Sequence, residues 1–163
     1  MIKPLFQKVL IAYDGSVSSL HAVQYGIMMA KNYKCQLKAV YVVDDASIKK
    51  LVLSKFLVSD EGNNMREHLL SDGKRNVEYI KELARKKNVK LETEILSGSV
   101  WAEVVRAAGE YKANLILLGD STDTSSTDYH SKMKKGAIEI VGNAGCSVLV
   151  VKEPYVEQLF KLC

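Results

Sequence analysis

This sequence predicts a doubly wound α/β domain built on a five-stranded parallel sheet, and three observations carry the prediction. Short runs rich in Val, Ile and Leu alternate with longer segments of helical periodicity. Four of the five runs are apolar almost without interruption, the pattern of strands covered on both faces. Only 2 prolines and 10 glycines occur in 163 residues, which leaves the elements long and unbroken.

The first strand spans Lys8 to Tyr13. Asp14, Gly15 and Ser16 then give a turn and a helix-start signal, and Leu20, Val23, Ile27 and Ala30 mark one face of a helix over Ser18 to Lys31. Leu37 to Val43 is the second strand. Asp44 to Asn64 breaks the alternation; its Leu51, Leu53, Phe56 and Leu57 suit a short helix or hairpin of its own. Met65 to Lys87 reads as a charged helix with the stripe Leu69, Val77, Ile80 and Leu83, interrupted at Gly73. Val89 to Ile95 alternates apolar and polar residues, which predicts an edge strand. A helix over Ser99 to Tyr111 carries Val100, Val104, Val105 and Ala108. Asn114 to Leu118 is the fourth strand, Asp120 to Lys135 a polar connection, Gly136 to Asn143 a short helix and Ser147 to Val151 the last strand. Beyond Glu153, the residues Val156, Leu159, Phe160 and Leu162 form a helical apolar stripe, expected to pack on a partner protomer in preference to its own domain.

Length and composition bound the function. One domain over residues 1–163 is expected. Hydrophobic residues are 47% and charged residues 26%, which excludes disordered, collagen-like and disulfide-stapled chains. No apolar run approaches the ~20 residues of a bilayer-spanning helix, and the start of the chain does not match a secretory signal. A cytoplasmic protein with no membrane and no nucleic-acid partner is expected. Its net charge of +4 is spread over helix faces, and the runs Lys86-Lys87 and Lys132 to Lys135 read as solvated surface. Cys35, Cys146 and Cys163 are far apart and lack metal-ligand spacing, so reduced thiols and no metal site are expected.

In an open α/β sheet, ligands bind beyond the carboxyl ends of the strands where the chain order reverses. Two segments suit that position. Ala12 to Ser16 ends the first strand and offers Asp14 as an acceptor for an adenine or a ribose, though the same residues also suit a plain turn and cap. Gly119 ends the fourth strand, where a missing Cβ serves either a phosphate or a turn. Gly136 would open a helix whose free N–H groups face an anion. Neither Gly-x-x-x-x-Gly-Lys-Ser/Thr nor Gly-x-Gly-x-x-Gly occurs.

Taken together, these pieces resemble the universal stress protein family. Lys8 to Ser19 resembles its first strand and turn, and Val40 to Asp44 the end of its second strand. Ser97 to Val105 resembles the start of its third helix, and Ala113 to Gly119 with Gly136 to Val151 its last two strands and the helix between them. The resemblance covers residues 7–152 and sets apart an insertion at 44–64 and a tail at 153–163. It implies an adenine nucleotide alpha hydrolase-like sheet ordered 3-2-1-4-5. It also implies a homodimer paired through the last strand, Ser147 to Val151, to which the tail could add.

ATP-binding members of that family carry Gly-x-x-Gly, nine further residues, then Gly-Ser/Thr. The resemblance therefore makes Ala12, Asp14, Val42, Gly119, Ser121, Thr122, Gly136, Ala137 and Ile138 the candidate nucleotide-binding residues. Thr122 stands where the second glycine would fall, the spacer to Gly136 is four residues longer, and Ala137 replaces the hydroxyl residue. Ser121 and Thr124 to Thr127 could donate to phosphate instead, while Asp120, Asp123 and Asp128 would need Mg²⁺ beside a triphosphate. The implied protein is regulatory, binding ATP or another adenine nucleotide as a sensory ligand without turning it over. A slow ATPase stays open, although no general base is evident. The alternative is a nucleotide-free homodimeric module that docks an unknown protein partner in a stress response. His130 is the one histidine near the expected pocket, and Trp101 is expected to pack.

Overall fold

In the computed structural model, which describes residues 3–120 and 133–163, the five apolar runs form one parallel sheet in the order β3-β2-β1-β4-β5. β1 (Lys8–Tyr13) lies between β2 (Gln36–Val43) and β4 (Leu115–Gly119). β3 (Leu91–Ser97) and β5 (Ser147–Val151) are the edges. Val9 of β1 is in register with Leu37 on one side and Leu115 on the other.

Successive side chains of a strand point to opposite faces, and these runs supply apolar groups to both. Val9, Ile11, Leu37, Ala39, Leu115 and Leu117 pack under α1 (Val17–Tyr33), α3 (Ser59–Lys86) and α6 (Val156–Leu162). Leu10, Val40, Ile116 and Leu118 pack under α4 (Val100–Tyr111) and α5 (Lys135–Asn143). β3, whose sequence alternates, is also the strand whose exposure alternates at its start. Trp101 packs, half-buried, against the second of these two clusters.

Residues 44–64 do form a short helix of their own, as expected, and the differences from the sequence expectation lie in where α3 begins and in what the tail packs on. Residues 44–64 are a helix, α2 (Asp45–Leu53), a short turn, and then the first turns of α3, which starts at Ser59 and runs 28 residues. Gly73 does not interrupt it: a Cβ there would lie 2.9 Å from Tyr41 Cε1, so the missing side chain lets the helix seat on the sheet. Arg66 bonds Asp45 and ties the two helices together. The tail also departs from expectation. Val156 and Phe160 are buried within the chain itself against α1, because they occupy the face that the α1–α6 contact needs. Leu159 and Leu162 are left exposed.

Candidate functional site

β1 and β4 are neighbours in the sheet, and the helices that follow them in sequence, α1 and α5, cover opposite faces. A cleft of about 300 Å³ lies at the carboxyl ends of the two strands. Its apolar lining is Ala12, Val40, Val42, Val100, Val104, Leu118 and Ile140. Its polar lining includes Asp14, Ser16, Ser18 and Lys134.

The Asp14 turn is built in detail. Gly15 sits at φ +84°, in the left-handed region that favours glycine, and a Cβ there would come within 2.8 Å of Asn76 Nδ2 on α3. Ser16 caps α1 by accepting from the Ser19 N–H at 3.2 Å. The Asp14 carboxylate accepts at Oδ1 from the Ser16 N–H at 2.9 Å and from the Ser19 hydroxyl at 2.7 Å. Ser19 is itself buried. No described residue donates to Asp14 Oδ2. Burial alone would raise the carboxyl pKa; the hydrogen bonds from Ser16 and Ser19, with the Lys134 charge nearby, outweigh it and hold the group below the ordinary aspartate value. Asp14 is therefore an ionised acceptor with one oxygen committed to the turn.

Helix α5 supplies donors. Lys134 is its N-cap and makes no side-chain cap bond. The first intrahelical bond is from the Ile138 N–H to the Lys134 carbonyl at 3.2 Å, so the N–H groups of Lys135, Gly136 and Ala137 have no partner within the helix. A Cβ built on Gly136 meets no atom of the described residues within 4 Å, so among them the space beside it is open.

The structure thus gathers Ala12, Asp14, Val42, Gly119, Gly136 and Ala137 around one cleft. Ile138 is not among its lining residues: its side chain is 54% exposed and its N–H is spent inside α5. Gly119 has a different reason from the one its motif suggests. A Cβ there would lie 2.3 Å from the Ser18 carbonyl oxygen and 2.7 Å from the Ser19 nitrogen, so the glycine admits the backbone of α1, whatever else it meets. Ser121, Thr122 and His130 lie outside the described residues. Sequence reasoning missed Val100, Val104, Ser18 and Lys134. The valines gave a signal in the helical periodicity of α4, whereas Lys134 was hidden in a run that reads as solvated surface.

Comparison with known proteins decides the family. The universal stress protein family profile matches residues 5–152. The chain belongs to the universal stress protein family. Universal stress protein MJ0531 of Methanocaldococcus jannaschii is 33% identical over 155 residues, covering 92% of this chain and 84% of that protein. Among solved structures, the MJ0577 protein superposes with a TM-score of 0.75 at 19% identity, covering 92% of this chain and 98% of that one. A universal stress protein from Archaeoglobus fulgidus, in complex with dAMP, superposes with a TM-score of 0.58 at 14% identity, covering 91% and 100%. These likenesses show that the chain shares the fold of those structures, a five-stranded parallel sheet ordered 3-2-1-4-5 with helices on both faces.

Proposed function

We propose that this universal stress protein binds an adenine nucleotide in the cleft as a regulatory ligand and does not turn it over. The observation that carries the reading is the composition of the cleft. The cleft combines the apolar side chains of Val40, Val42, Val100 and Val104 with an ionised acceptor, Asp14, and with residues of the uncapped start of α5. Such a combination suits both a base and an anion. The dAMP complex of the A. fulgidus relative supports the choice of base.

Among the residues here, Asp14 would accept from the ribose or the base through Oδ2. Lys135, Gly136 and Ala137 would offer main-chain N–H groups to phosphate, and the open space at Gly136 fits that use. Turnover is disfavoured by the chemistry of Asp14, the one carboxylate among the described lining residues. A general base works best with a pKa near the operating pH, and Asp14 is shifted the other way. The protein is read as cytoplasmic, and as a homodimer paired along β5. That strand pairs with β4 alone among the described residues and leaves its outer edge free. Light scattering should then give twice the chain mass of 18.1 kDa.

A second reading has its own observation. At the turn between α2 and α3, Leu53, Phe56 and Val58 are 82%, 79% and 62% exposed, an apolar group that suits a protein partner. Calorimetry with AMP, ADP and ATP, each with Mg²⁺, tests the nucleotide reading. Binding weakened by Asp14→Ala supports it, and no heat with any of the three removes it. Substituting Leu53 and Phe56 by serine tests the second reading through loss of partner capture.

A further inference from the structure

A second, larger cavity lies at the other end of the sheet. Its volume is about 610 Å³, and it opens between the carboxyl ends of α1 and α3, beside the starts of β2 and β3. Lys31 and Lys34 enter it from the end of α1, and Lys87 and Lys90 from the link between α3 and β3. Backbone geometry fixes this convergence. Lys34 and Asn88 both end helices in the left-handed region, at φ 57° and 58°, which turns the chain sharply into the next strand on each side.

Elsewhere the chain pairs many of its cations. Lys38, Lys49, Arg66, Arg75, Lys81, Arg85 and Arg106 each reach a carboxylate. Lys31, Lys34 and Lys90 have no carboxylate partner among the described residues, and Glu92 is the single acidic residue of the lining. Lys87 is held in place: its ammonium donates to the Cys163 carbonyl at 3.0 Å and stands 4.9 Å from the Phe160 ring centroid. Helix carboxyl ends favour cations, but each offers only about half a charge. Three unpaired lysines, Lys31, Lys34 and Lys90, against one glutamate in a concavity leave a focused positive field.

We propose that this cavity is a second ligand site, for a small polyanion of the oligophosphate class. The lining favours phosphate over carboxylate chemistry. It holds ammonium groups, which engage phosphate as point charges, and the amides of Gln36 and Asn88, with no arginine fork to grip a carboxylate. The site is independent of the cleft at the β1 and β4 ends and shares no lining residue with it.

Inorganic tripolyphosphate, titrated into the full-length chain by calorimetry at low salt, tests the site. Binding should weaken at least about tenfold in the double variant Lys34→Glu with Lys90→Glu and persist in Lys134→Glu, which alters the cleft instead. Both lysines are exposed, and an unchanged melting temperature confirms that the double variant is folded. Heat absent in the parent chain, or lost in Lys134→Glu and kept in the double variant, overturns the proposal.

Discussion

Replacing Gly119 by alanine probes how the cleft is assembled. A Cβ at this position would lie 2.3 Å from the Ser18 oxygen, 2.4 Å from the Ser18 carbonyl carbon and 2.7 Å from the Ser19 nitrogen. All three are backbone atoms of the first turn of α1, so no rotamer change relieves the clash. The turn must retreat by about 1 Å, the gap between 2.3 Å and ordinary contact at 3.4 Å. Overpacking of this kind costs ~1–3 kcal/mol, and a rigid neighbour puts it near the upper end. For a chain of this size that is a fall of roughly 6–12 °C in melting temperature. Gly136→Ala is the internal control: its Cβ meets nothing among the described residues, and an alanine within a helix is neutral or gains up to ~1 kcal/mol. Thermal denaturation of both variants decides the matter. Equal melting temperatures would refute the steric reading of Gly119 and return it to a role at the ligand alone.

Other expectations follow from the same geometry. Phe160→Ala should cost ~3–5 kcal/mol in urea denaturation, independent of protein concentration, because Phe160 is buried within its own chain; a cost that vanishes on dilution would mean a partner supplies the packing. The Asp14 carboxyl is held below its unfolded value, so its contribution to stability is present above that value and is lost as pH falls through the folded one. The stability gap between parent and Asp14→Asn should therefore narrow as the pH is lowered below about 4, and a gap that stays constant contradicts the turn described here. Tyr13 and Tyr111 are pushed up to about 12, chiefly by burial. The folded state then holds protons the unfolded state releases, and stability should fall as pH rises from about 10 to 12; ultraviolet titration should show these two phenols ionising last.

The strands were legible in the sequence because four of them are continuous apolar runs, and continuity is what a sheet covered on both faces requires. The start of α3 was not. Ser59 to Asn64 is polar, with a glycine and two asparagines, and its local preference is against helix. The segment is helical because Gly62 lies against α2, where a Cβ would come 2.8 Å from Val52 Cγ2, and packing overrides propensity. The candidate site was legible where a residue's role is local, as at Asp14 and Gly15. It was illegible where the role depends on a distant neighbour: nothing near Gly119 in sequence reveals that Ser18 sits over it. The tail showed its apolar stripe by periodicity, but periodicity does not say which surface the stripe meets.

The central claim is that the cleft between β1 and β4 takes an adenine nucleotide through Asp14 and the start of α5. Its most direct test is a calorimetric titration of the full chain with AMP, repeated with Asp14→Ala. The account predicts binding to the parent chain and a loss of at least about tenfold in the variant, the worth of one hydrogen bond to a charged group. Equal affinity in the two chains, or no binding of AMP, ADP or ATP to the parent, would contradict it.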